Sequence, residues 1–343
     1  MSRSTIWFTI FGLLLVVFFL LDIMLGSVKI PMDTVLSVLS GVESKPSWHY
    51  IVLNFRLPKA ITAILAGAGM AVTGLQMQTL FKNPLADTSI LGIGNGASLG
   101  VALFVLASAL MPTAFLQNSS FGNMGIVIAA VIGASAVLLC VSAVAMWLND
   151  MVSILIIGLM FGFITGSLVG ILQYFSNPDM IKSYLLWTLG SLSGVTWTQM
   201  KILAPIVITA LSVTMFFPKS MNALLLGEQY ARSVGVKVTT MRNSLIGLTS
   251  LIAGTLTAFI GPIAFVGIAV PFCARLLFKT SDHRILIPAS MLCGAVLLLF
   301  CDIVSQLPGH QTTLPINSVT ALIGAPVVVA IILKNRRNKT VFN

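Results

Sequence analysis

A chain of 343 residues that is 57% hydrophobic and 8% charged, with a mean hydropathy of +1.03, has too little polar surface to enclose its apolar residues in a water-soluble core. This balance leaves no room for a sizeable soluble domain and describes an all-α polytopic membrane protein, read here as one transmembrane domain over residues 1–343. The formal net charge of +10 is dispersed over short loops and a basic tail, which fits membrane orientation and excludes a nucleic-acid role.

An apolar run from Ile6 to about Leu25 is long enough for a first span, and with no small-residue cleavage site after it the span reads as retained. Gly26 to Phe55 is a polar outer segment. Span two runs from Leu57 to about Phe81, with Pro58 in the favoured first turn. A tight inner loop from Lys82 to Asp87 leads to span three, Ser89 to Leu110, and an outer loop to span four, about Met124 to Trp147. Span five is Val152 to Tyr174, and an outer excursion with the turn signal Asn177-Pro178-Asp179 precedes span six, Trp197 to Phe217. Spans seven and eight, about Asn243 to Ile260 and Ala264 to Phe278, are divided by Gly261-Pro262. Span nine is Ile285 to about Ser305, and span ten is Ile316 to Leu333.

Charge tests this count of about ten, since Lys and Arg favour cytoplasmic loops. With both termini inside, the inner side holds Lys and Arg in roughly a two-to-one excess. The aromatic belt agrees: Trp7 and Trp147 fall at inner ends, while Trp48, Trp187 and Trp197 fall at outer ends.

Pro218 to Arg242 is the longest polar stretch between spans. At helical spacing Met221, Leu224, Leu225, Tyr230 and Val234 supply apolar contact surface, and Lys219, Glu228, Arg232 and Lys237 supply charge. Gly227 and Gly235 read as breaks between short helices. Two readings stay open on these residues alone: a docking surface for a soluble partner, or an amphipathic loop on lipid headgroups.

Gly158, Gly162, Gly166 and Gly170 recur every fourth position in span five, baring one face to a neighbouring helix or to a bulky solute. Gly92, Gly96 and Gly100 do the same in span three. The pattern AGxxxAxxG occurs at Ala66–Gly74 and again at Ala253–Gly261, five spans apart and therefore in opposite directions through the membrane. An inverted repeat of the kind seen in transporters and a chance match of small residues both account for it.

The charged residues Asp22, Lys201, Arg275 and Asp302 fall near span ends, away from the midplane position an ion-coupled carrier uses. No HExxH, no nucleophile arrangement and no phosphate-binding GxxxxGK[ST] is present, so the chain is not read as an enzyme. Cys140, Cys273, Cys293 and Cys301 lie in apolar runs and form no ligand cluster, which predicts buried reduced thiols and no bound metal.

Four segments carry a resemblance: Arg56 to Gly100, LLLGEQYARSVGV from Leu224, GPIAFVGIAVPFCARLL with SDHR after it, and LPINSVTALIGAPVVVAIIL from Leu314. They resemble the FecCD family, permease subunits of ATP-binding-cassette (ABC) importers for iron-siderophores, haem and vitamin B12. The resemblance implies a type II ABC importer permease fold with an inverted-repeat core, in the bacterial cytoplasmic membrane. It implies a second permease copy as partner, homodimer or paired heterodimer, with the pathway between the two. It also implies two cytoplasmic ABC ATPase subunits that bind ATP and Mg, and an extracytoplasmic solute-binding protein. This chain itself is expected to bind no cofactor.

By the same resemblance, Leu226, Gly227, Glu228, Gln229, Tyr230, Ala231, Arg232 and Gly235 lie in coupling helices that dock in the ATPase. Asn83 and Leu85 match a cytoplasmic gate, although Asn83-Pro84 also reads as a plain tight turn, and Met151 and Val152 are assigned to the opposing gate. Arg56 and Lys59 match basic positions that meet acidic residues of the binding protein, with headgroup anchoring as the other reading. The chain departs from many relatives in having Phe272 after Val270-Pro271, and Gln306 where some carry arginine. A self-sufficient secondary carrier and a scaffold that transports nothing are the alternatives from other classes.

Overall fold

The computed structural model describes residues 3–26, 28, 30–41, 45–106, 119–147, 151–306 and 313–337, and among them it is built of helices and turns. Helix α1 is Arg3–Met24, α2 is Met32–Leu39 and α3 is Pro46–Ile51, which continues through a π-helical turn at Val52–Arg56 into α4, Leu57–Leu80. The widening at Val52–Arg56 has a local cause, because Pro58 offers no N–H to the carbonyl four residues before it. A short 3₁₀ turn, Thr88–Leu91, precedes α5, Ile93–Leu106; α6 is Ser119–Trp147 and α7 is Met151–Tyr174. Then come α8, Pro178–Thr188, α9, Trp197–Thr214, the short pair α10, Pro218–Leu226, and α11, Glu228–Ser233, and α12, Val238–Ile260. The last three are α13, Val266–Phe278, α14, His283–Ser305, and α15, Ile316–Arg337.

Among the described residues seven helical stretches are long and apolar enough to cross a bilayer, and three shorter apolar helices, α5, α13 and part of α15, bring the set to the ten expected from hydropathy. Helix starts follow their sequence signals. Thr196 and Gln199 form a reciprocal capping box at α9, and Asp282 accepts the Arg284 N–H at the start of α14.

Helix α4 is the axis of the bundle, with nearly every residue from Pro58 to Leu80 buried. Its glycines make that possible: a Cβ on Gly67 would land on the carbonyl of Gly294 in α14, and one on Gly74 would land on the carbonyl of Gly267 in α13. Backbone therefore touches backbone on two sides of α4, the close approach that small residues permit where there is no water to drive packing. Gly69 faces Ile252 and Leu256 of α12, while Gln76, two turns further along α4, meets Thr249. The two helices bearing the AGxxxAxxG pattern thus pack directly and run antiparallel, the relation that an inverted repeat requires.

The chain breaks where Gly261 (φ 78°) ends α12, and Phe265 (φ 67°) opens α13. Between them the backbone is held by the Asn317 side chain, which accepts the Ala264 N–H at 3.1 Å, and by Ser191, whose N–H reaches the Ile260 carbonyl at 2.8 Å. One expectation needs correcting: Cys293 and Cys301 are buried, but Cys140 is exposed on α6, on a helix that shows one side to the surroundings. Hydropathy cannot separate a lipid-facing thiol from a buried one, since both sit in an apolar run.

Candidate functional site

At one end of the bundle α10 and α11 meet at Gly227, whose φ of 121° is open only to glycine. Gly235 (φ 87°) closes the second short helix, so both breaks stand where the spacing put them. The pair turns Met221, Leu224 and Ala231 into the protein. Met221 and Leu224 are therefore internal anchors and not, as their spacing suggested, part of the outward surface. Left uncovered are Leu226 (69% exposed), Tyr230 (47%) and Val234 (52%), with Gln229 and Arg232 exposed beside them. Arg232 lies 3.5 Å from Glu228 one turn earlier, an exposed pair that contributes little stability but rims the apolar trio with charge.

The loop after α4 is tightly wound. The Asn83 side chain accepts the Leu85 N–H at 2.9 Å, and the Asn83 carbonyl accepts the Ala86 N–H at 3.0 Å. Asn83 is thus engaged in an Asx-type turn, and Leu85 is the side chain that projects, 45% exposed. Met151 and Val152 open α7, and their side chains lie outside the described residues.

The glycine ridge of α7 divides into two halves. Gly158 is buried and its carbonyl lies against Gly92, and Gly162 faces the Asn95 side chain, so this half packs on α5. Gly166 and Gly170 meet nothing within 4 Å and lie open together with Phe163, Ser167 and Ile171. In the other ridge Gly96 and Gly100 pack against Gly133, Val137 and Ala129 of α6.

At the opposite end of the bundle Arg56 and Lys59 are buried, and both charges are satisfied inside the chain. Arg56 donates to the carbonyls of Ile23 at 2.6 Å and Met24 at 2.7 Å and to that of Val28, closing off the end of α1. The Lys59 ammonium sits between two carboxylates, 2.8 Å from Asp302 of α14 and 3.4 Å from Asp22 of α1. Gln306 completes the group by donating to Asp22 at 2.6 Å and to Asp302 at 3.1 Å. This geometry ties α1, α4 and α14 into one corner and leaves neither basic group presented as an outward docking charge. Gln306, noted from the sequence only as a departure, is a working member of the cluster.

Sequence reasoning also passed over Asp282 and Asn222. Asp282 caps α14 and accepts from the Asn222 side chain at 2.7 Å. The Arg284 backbone N–H, followed by the Asn222 amide, holds its carboxyl below the usual carboxylate range. The clue available was local: SDHR ahead of an apolar run is a helix start with a capping residue.

The whole of this arrangement falls within one match to known proteins: residues 14–334 match the FecCD transport family. The chain belongs to the FecCD transport family. It is 31% identical over 294 residues to the hemin transport system permease protein HmuU of Yersinia pestis, covering 85% of this chain and 86% of that protein. It is 34% identical over 292 residues to the vitamin B12 import system permease protein BtuC of Escherichia coli, again covering 85% and 86%. A solved chain described as an inward-facing metal-chelate type ABC transporter superposes with a TM-score of 0.83 at 26% identity, covering 96% of this chain and 99% of that one. The resemblance read from four segments of sequence therefore extends to the fold of nearly the whole FecCD chain.

Proposed function

We propose that this FecCD chain is the permease subunit of an ABC importer of the bacterial cytoplasmic membrane, with the α10–α11 end and both termini facing the cytoplasm. The observation that carries this reading is the uncovered apolar trio Leu226, Tyr230 and Val234 on a charged-rimmed knuckle anchored to the bundle by Met221 and Leu224. A helix presenting apolar anchors within a polar rim fits a groove on a soluble partner. Two ATPase subunits dock there, and ATP and Mg bind to them and not to this chain.

A second permease copy faces the open half of α7, so that Gly166 and Gly170 border a pathway between the copies. Leu85 closes it at the cytoplasmic end, with Met151 and Val152 of α7 in the opposing gate. A solute-binding protein delivers cargo at the other end, where Arg56 and Lys59 act by holding the shape of that face. The relatives named for hemin and vitamin B12 support a bulky metal-bearing chelate as cargo, an iron complex first and a corrinoid second.

The test is Arg232→Glu, paired with Gly227→Pro, in the reconstituted transporter. Proline cannot adopt the φ of 121° at Gly227, and Arg232→Glu places two like charges one turn apart. Both variants are expected to lose stimulation of ATP hydrolysis by the binding protein, with uptake falling about tenfold or more, the equivalent of ~1.4 kcal/mol in the barrier. Stimulation at the wild-type level in both would refute docking at this knuckle.

A further inference from the structure

The anchoring of α10 is not apolar alone. Asn222, in the middle of that helix, donates from Nδ2 to the Asp282 carboxylate at 2.7 Å, which fixes the orientation of its amide because a carboxylate only accepts. Its Oδ1 therefore accepts, from the His283 backbone N–H at 2.9 Å and from His283 Nδ1 at 2.7 Å. With the proton of the ring assigned to Nδ1, the other nitrogen, Nε2, lies 2.8 Å from the Thr79 hydroxyl of α4. His283 and Thr79 are both fully buried.

The helix that this chain of bonds reaches is bound sideways to α9, α12 and α13 within a single turn. Gln76 donates to Thr214 of α9 at 3.0 Å and accepts from Thr249 of α12 at 2.7 Å. Gln78 accepts from Arg275 of α13 at 2.7 Å and donates to the carbonyls of Gly267 and Ile268 at 3.3 and 3.2 Å. Elsewhere α4 meets these helices through glycine and aliphatic contacts, which slide at little cost. Directional bonds among buried side chains do not slide, since breaking one strands a buried polar group at about 1–3 kcal/mol.

We propose that Asn222, His283 and Thr79 form the rigid link through which force applied to α10 is delivered to α4, and through Gln76 and Gln78 to α9, α12 and α13. The proposal rests on the importer reading above and adds to it the residues that transmit the stroke. Asn222 and His283 are positioning residues: they touch no cargo and act through α4. The Thr79 hydroxyl has His283 Nε2 and the Leu75 carbonyl both at 2.8 Å, and donating its hydrogen to His283 leaves the Leu75 carbonyl its helical backbone bond.

The experiment measures solute moved per ATP hydrolysed by the complete transporter in proteoliposomes, together with its thermal midpoint. Thr79→Val keeps the side-chain shape and removes the bond. It is expected to hold ATP hydrolysis within about twofold while uptake falls about tenfold, the rate equivalent of one lost buried hydrogen bond. Thr79→Ser is expected to restore the ratio. His283→Asn, which preserves the bond to Asn222, and His283→Gln, which preserves the bond to Thr79, are each expected to lower the ratio. An unchanged ratio in Thr79→Val and both His283 variants would overturn the proposal, as would a parallel fall of uptake, hydrolysis and midpoint that Thr79→Ser does not reverse. Should the His283 variants fail to assemble, the Thr79 pair alone decides. Absence of ATP-driven uptake by the wild type would instead sink the importer reading, and the link with it.

Discussion

Lys59→Met is expected to destabilise the isolated permease by about 3–5 kcal/mol, read as a large fall in thermal midpoint in detergent with no partner protein present. Methionine matches the lysine stem in length and apolar character, so packing is retained and the loss is electrostatic. The ammonium lies between Asp302 at 2.8 Å and Asp22 at 3.4 Å, and with it gone two buried carboxylates are left with the Gln306 amide, the Ser305 hydroxyl and the field of the nearby Arg56 guanidinium. Adding Asp302→Asn to the variant is expected to recover a substantial part of the loss, because one of the two stranded charges is then removed. A Lys59→Met protein as stable as wild type would show that the cluster does not hold this corner. The measurement also separates two roles for the residue, since a docking charge would leave the stability of the isolated chain unchanged and alter only partner binding.

Gly74→Val should be as damaging for a different reason. The new Cβ would coincide with the Gly267 carbonyl, and backbone on both sides leaves no flexible side chain to give way. Overpacking a yielding core costs about 1–3 kcal/mol, and here the helices themselves must separate, so the variant is expected to lose more than ~3 kcal/mol and to fail in assembly. Gly166→Leu provides the contrast. Gly166 has nothing within 4 Å in the isolated chain, so the fold and midpoint should survive. If α7 borders the pathway, uptake should nevertheless fall. A Gly74→Val protein with a wild-type midpoint would contradict the packing of α4 described here, and Gly166→Leu with full uptake would place the pathway elsewhere.

These two variants mark what could be read from the sequence. The spans could be read, because a bilayer demands about twenty apolar residues per crossing and each loop between them shows its polarity. The break at Gly261-Pro262 and the knuckle at Gly227 were legible for the same kind of reason: both need a backbone that only glycine adopts freely. What the sequence could not show was partnership across distance. Asp22, Lys59 and Asp302 each look like an isolated charge near a span end, and nothing local says that three ends converge on one ammonium. Likewise Gly158 and Gly166 belong to one ridge by spacing, yet one lies against Gly92 and the other is open, a difference set by which neighbour lies alongside and not by residue type. Asn222 reads as an ordinary polar residue of an amphipathic helix until Asp282 and His283 are seen beneath it.

This FecCD chain is expected to move solute only when driven from its α10–α11 end. Purified permease, alone and then joined by ABC ATPase subunits and a solute-binding protein, should be sealed into proteoliposomes and offered a ferric siderophore, haem or cobalamin. Uptake against a gradient is expected only in the complete assembly with ATP and Mg present. Uphill uptake by the permease alone on an ion gradient would contradict the account.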